Sequence, residues 1–109
     1  MPQAGFVHEG KFIDHTAAVA LAAGDVVVQG ELVGVAVRAL AIGELGALAV
    51  EGVFDFAKNT GVAYAVGVIL YWDDTNNVVT TTASGNKAIG KAVRAAATGD
   101  TTVRVRLDQ

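Results

Sequence analysis

Glycine occurs thirteen times in 109 residues and cuts the chain into short apolar pieces, which restricts it to folds built from short elements joined by turns. Most pieces are rich in Val, Ile, Thr and aromatics, whose branched or flat side chains suit a pleated, half-buried surface. Residues 3–8 and 11–15 flank Glu9-Gly10 and read as a tight hairpin. Residues 26–29 and 32–37 flank Gly30-Glu31 in the same manner. Residues 47–56 alternate loosely, and 68–72 form a continuous apolar run of the kind buried on both faces. The cluster Asp73-Asp74-Thr75-Asn76-Asn77 is a turn feeding 78–82, and Ser84-Gly85-Asn86 turns into 87–93. The last stretch, 101–107, alternates cleanly: Val103, Val105 and Leu107 take one side, Thr102, Arg104 and Arg106 the other, as in a sheet with one buried face.

Helix has little room. Residues 60–66 are the clearest candidate, one or two turns long. The Ala-rich stretches 16–23 and 92–97 have helix propensity but end in Gly-Asp or Thr-Gly-Asp turns, and propensity is a weak guide against such punctuation. The fold class expected is all-β: one small domain, a barrel or sandwich of seven or more short antiparallel strands with at most one short helix.

The chain also resembles itself. Residues 33–43 align with 89–99, seven of the eleven pairs are identical, and Glu44 and Asp100 follow in register. Upstream, residues 24–28 resemble 67–71. The pattern suggests a duplicated strand–turn–strand unit, 24–50 and 67–106, with extra residues in the second copy around 72–84. The first hairpin, 3–15, reads as a possible arm.

Composition narrows the partners. At 109 residues the chain suits one domain with one core. Hydrophobic residues make up 52%, mostly Ala and Val, and such a thin core gains from burying further surface against a partner. Charged residues are 17%, the net charge is −3 and the basic residues are scattered, which argues against a nucleic-acid partner. There is no cysteine, so no disulfide or thiolate chemistry. The start has no signal-peptide pattern, and the longest uncharged stretch, 59–72, is too short to span a bilayer; no membrane partner is expected.

Each motif that could carry chemistry is incomplete. Residues 85–91 fit the G-x-x-x-x-G-K spacing of a phosphate-binding loop, but Ala92 stands where a Ser or Thr must hold magnesium, and Val93 continues a strand where a helix is required. Ser84, the only serine, lies in a turn and not in a nucleophile elbow. His8, Glu9, Asp14 and His15 are potential metal ligands on the first hairpin, read here as exposed or subunit-facing side chains. Asp73, Asp74, Asn76 and Asn77 offer calcium-type oxygens without the rest of a calcium loop, so they read as turn formers. Tyr71 and Trp72 suit packing or an interface better than ligand stacking. Arg94, Arg104 and Arg106, with Lys87 and Lys91, could form a basic face. The expectation is no catalytic residue, no metal and no cofactor, and a candidate interface of Phe6, His8, Phe12, His15, Tyr71, Trp72, Arg94, Arg104 and Arg106.

Gly67-Val68-Ile69-Leu70-Tyr71-Trp72-Asp73, Val78-Val79-Thr80-Thr81-Thr82, Asn86-Lys87-Ala88-Ile89-Gly90 and residues 99–107 resemble, in order and spacing, the small phage and prophage proteins known as capsid cement or head decoration proteins. The first half agrees more loosely, through 6–14, 24–27 and 34–36. The resemblance implies a mostly β protein that trimerises on the outside of an icosahedral head and clamps neighbouring subunits of the major capsid protein, with assembly in the bacterial cytoplasm and residence on the virion. It implies no catalytic residue and no cofactor. The first hairpin and the last strand are then expected to make subunit or capsid contacts. A phage tail or baseplate component and a ligand-binding β module are the rival readings.

Overall fold

The computed structural model describes residues 3–109, and among these no helix forms. Nine strands follow in order: β1 (Phe12–Thr16), β2 (Val26–Gln29), β3 (Leu32–Ala36), β4 (Leu45–Ala49), β5 (Gly52–Ala57), β6 (Ile69–Asp73), β7 (Val78–Thr80), β8 (Lys87–Ala92) and β9 (Thr102–Leu107). They make two antiparallel sheets, ordered β1-β4-β3-β2 and β5-β9-β8-β6-β7. Neither sheet closes on itself, so of the two expected architectures the sandwich fits.

Turn chemistry explains several connections. Gly30 takes φ +64° and closes the two-residue turn in which Gln29 faces Leu32. Between β6 and β7, the Asp73 carboxylate accepts from the main-chain N–H groups of Thr75 (3.0 Å) and Asn76 (3.1 Å) and from Asn76 Nδ2 (2.7 Å), while Asn77 takes φ +56°. Those acceptors are committed to the turn, as the reading of this cluster as turn formers requires.

Two expectations fail. The hairpin over 3–15 does not form: residues 3–10 carry no strand, and β1 pairs instead with β4, Phe12 facing Ala49 and Thr16 facing Leu45. Local turn propensity at Glu9-Gly10 loses to the ladder that β4 offers. The helix over 60–66 is likewise absent; Tyr64 makes an isolated antiparallel bridge to Ala96, with N–H···O distances of 2.9 Å in both directions. The stretch 47–56 is two strands, split at Val50-Glu51 where the chain passes from one sheet to the other.

The two sheets repeat one another. The order β1-β4-β3-β2 recurs as β5-β9-β8-β6, with β7 added at the edge. The Tyr64–Ala96 bridge has its counterpart in Leu21–Leu40, also with 2.9 Å bonds both ways. Gly24 N–H donates to Ala36 O at 2.7 Å, and Gly67 N–H to Ala92 O at the same distance. Glu44 accepts from Ala41 N–H and Asp100 from Ala97 N–H, each at 2.9 Å.

The main core lies between the sheets. Val33, Val35 and Ala49 of the first sheet meet Phe56, Leu70, Trp72, Ile89, Val103, Val105 and Leu107 of the second, with Val26 and Val28 packed alongside. Phe56 and Trp72 approach to 5.9 Å between ring centroids and Phe54 stands edge-on to Phe56 at 6.3 Å. Each fully buried Leu, Ile or Val contributes about 1.5–3 kcal/mol. Gly34 lets the first sheet pack tightly, since a Cβ there would stand 2.8 Å from Leu48 Cβ.

Candidate interaction surfaces

Clean alternation along β9 and β5 sorts the second sheet into two faces. Leu107, Val105, Val103 and Phe56 point into the core, so Arg104, Arg106, Val53 and Asp55 must point outward. The cross-strand register assembles a row across the outer face: Val53 opposite Arg106, Arg106 opposite Lys91, Lys91 opposite Ile69. One step along, Asp55 faces Arg104 and accepts from its Nε at 3.0 Å and its Nη2 at 3.3 Å. That fork holds the Asp55 carboxyl below its ordinary range, and Arg94 nearby lowers it further. Arg94 shares a cavity of about 310 Å³ with Arg104 and Asp55. Tyr71, half-buried, lies on this same outer face, opposite Ala88 and Thr80.

Of the residues expected at an interface, Tyr71, Arg104 and Arg106 share the outer face of the second sheet with Lys91, and Arg94 stands at its margin, just past β8. Lys87 does not: its Nζ contacts Glu31 Oε1 at 2.7 Å and ties β8 to the β2–β3 turn. Trp72 is a correction. It is 4% exposed, in the core against Phe56, with its indole N–H donated to Asp74 Oδ1 at 3.1 Å. Little of its surface is left for a partner.

The other expected residues lie on or before the first sheet. Phe6 is 87% exposed and Val7 84%, the most exposed large apolar side chains among the described residues. His8 accepts from Gly10 N–H at 2.9 Å, and His15 Nδ1 stands 2.9 Å from Gln29 Oε1. This last contact links β1 to β2, the two edges of the first sheet, which therefore curls. Phe12 is exposed on β1 beside Asp14. Among the described residues no group of three or more His, Asp and Glu is placed to hold a metal ion.

The phosphate-loop spacing over 85–91 falls on a turn and on strand β8, and no helix follows to present backbone N–H groups. Sequence reading missed the cavity of about 620 Å³ at the open edge between the sheets, where Leu21, Val26, Val35, Phe54, Phe56 and Trp72 form its apolar wall. These residues come from both sheets, and no local pattern places them side by side.

With the geometry in hand, comparison with family models finds the phage cement protein model matching residues 7–107. The chain therefore belongs to the phage cement protein family, a family of structural proteins of the phage capsid. Comparison with curated proteins and with solved structures returned no match.

Proposed function

We propose that this member of the cement family binds the outside of an assembled phage head as a homotrimer, contacts the major capsid protein and stabilises the shell. The observation that carries this reading is the family match over 7–107, which takes in every strand of both sheets. The role is structural, with no substrate and no cofactor. The protein assembles in the bacterial cytoplasm and stays on the virion. We also read the two sheets as copies of one duplicated unit within a single domain.

Physical features support such a role. A cement protein adds many small contacts over a symmetric lattice, so modest affinity per copy becomes firm attachment by multivalency. Exposed Phe6 and Val7 precede the first strand, and the row Val53-Arg106-Lys91-Ile69 crosses the second sheet. Arginine is enriched at protein–protein contacts relative to the rest of a protein surface.

The test is cosedimentation of purified protein with heads that lack it, together with the temperature at which those heads rupture. Saturable binding in multiples of three per site and a raised rupture temperature are expected. No binding to heads, with binding to purified tails, would instead identify a tail or baseplate component.

A further inference from the structure

We propose that the outer face of the second sheet docks on the exposed patch of the β1–β4 ribbon around Phe12, Asp14 and Leu45 of a second copy, head to tail. This rests on the trimer reading given above and names the contact between neighbours within it.

The charges divide unevenly along the chain. Residues 1–51 carry two Lys and Arg against six Asp and Glu, a net −4. Residues 52–109 carry six against five, a net +1, and the two halves make up the −3 of the whole. Within one copy nearly every charge is matched. Arg38 pairs with Glu44, Lys87 with Glu31, Arg104 with Asp55, Arg106 with Asp108 and Lys11 with Glu9. Lys58 is held by three carbonyls, and Asp25, Asp73, Asp74 and Asp100 accept hydrogen bonds in or beside turns.

Among the described residues, two cationic and two carboxylate side chains are left with neither an ion-pair partner nor a hydrogen bond. The cations, Lys91 and Arg94, stand on the second sheet and at its margin. The carboxylates, Asp14 and Glu51, stand on β1 and just past β4. The internal repeat shows how Arg94 becomes free. Arg38, its counterpart, reaches Glu44 at 3.3 Å, but Asp100 replaces that glutamate and is one methylene shorter, so its carboxylate serves the turn alone.

Each pair of charges has apolar company. Lys91 faces Ile69, and Val93 stands between it and Arg94; Ile69 is 51% exposed and Val93 43%. Asp14 shares its exposed face with Phe12, at 52%, and with Leu45 across the ladder, at 60%. The two patches match in composition and oppose in sign. Charge complementarity of this kind selects orientation and partner more than it adds raw affinity. Because the patches are different surfaces of one chain, the contact is heterologous, the kind that forms a ring when its rotation closes, and the trimer proposed above is such a ring of three copies.

Light scattering on three variants tests this. The changes K91E and R94E together, or D14K and E51K together, are expected to leave a folded single chain and to weaken self-association at least about tenfold. All four changes in one chain restore the opposition of sign and are expected to restore the trimer. T75E, in the β6–β7 turn and part of neither patch, is expected to leave it intact. The proposal is overturned if either charge reversal keeps the trimer, if the four-fold variant stays a single chain, or if the unaltered protein is itself a single chain in solution. Head cosedimentation of the unaltered protein is read separately, so failure of this contact is distinguishable from failure of the cement role.

Discussion

The side-chain amide of Gln109 closes both main-chain hydrogen bonds of Val33: Val33 N–H donates to Gln109 Oε1 at 2.6 Å, and Gln109 Nε2 donates to Val33 O at 2.6 Å. β4 pairs with β3 only at Val35 and Ala36 before the chain leaves for the second sheet. The last residue thus fills a gap in the ladder that β4 vacates, and joins the end of β9 to the first sheet. Gln109→Ala leaves both groups of a buried residue without a partner, and is expected to destabilise by about 1–3 kcal/mol. At this chain length that lowers Tm by roughly 4–12 °C. Gln109→Glu keeps the acceptor and loses the donor, so an intermediate loss is expected. Calorimetry decides, and an unchanged Tm for Gln109→Ala would show the bridge to be idle.

Lys58 is only 5% exposed, and its Nζ donates to the carbonyls of Asn59 (2.9 Å), Ala97 (3.1 Å) and Asp100 (2.7 Å). A buried ammonium is tolerable only when so satisfied, and here it fastens the 97–100 turn to the end of β5. Lys58→Met removes three charge-assisted bonds and is expected to cost about 2–3 kcal/mol in urea unfolding. Lys58→Arg should not rescue it, because a planar fork does not reproduce three converging donors.

Gly90 sets the approach of β8 to β9. It takes φ +149°, and a Cβ there would collide with the carbonyl oxygen of Arg106. Gly90→Ala must move backbone, so loss of more than about 3 kcal/mol, or failure to fold, is expected. Gly85→Ala meets no atom within 4 Å and strains only its φ of +78°, for about 1 kcal/mol. Equal melting temperatures for the two variants would contradict this.

Acid weakens the fold through surface carboxylates. Asp73 is held below its ordinary value by the Asn76 side chain and by main-chain N–H groups, Asp55 by Arg104, and Glu44 by Ala41 N–H and Arg38. Because the folded pKa is the lower one in each case, the unfolded chain binds more protons in the acid range. The stabilisation is therefore complete above the unfolded values, 4.5 for Glu44 and 3.8 for the aspartates, and declines as pH falls through the folded ones. Asp73→Asn is expected to flatten the fall of Tm between pH 5 and about pH 2; an unaltered slope would exclude Asp73 as a contributor.

Removal of residues 1–10 spares every strand and is expected to leave Tm within about 2 °C of the intact protein, since residues 3–9 are exposed and carry no strand. Head binding is expected to weaken at least about tenfold, because Phe6 and Val7 are removed with it. Undiminished cosedimentation of the truncated protein would take the N-terminal segment out of the capsid contact.

Turn and alternation signals were readable locally. Gly30-Glu31, the Asp73–Asn77 cluster and the alternation from Thr102 to Leu107 each depend on neighbours within a few residues, and each is found where expected. The repeat of 33–43 in 89–99 was equally visible, because the same turn-and-bridge chemistry selects the same small residues. The first hairpin misled for the same reason: Glu9-Gly10 is a good turn in isolation, yet β4 supplies a better partner for β1 from far along the chain, Phe12 facing Ala49 and Thr16 facing Leu45.

What the sequence alone determined is the kind of structure: short antiparallel strands, glycine turns, and inward and outward faces. Tertiary structure alone decided which strands share a sheet, that Trp72 faces the core while Tyr71 faces out, that Lys87 leaves the basic face for Glu31, and that Lys91 and Arg94 remain unmatched. The division has a physical reason. Propensity and turn chemistry act over a few residues, whereas burial and charge pairing depend on segments far apart in the chain, and a shift of one residue in register turns every side chain to the opposite face.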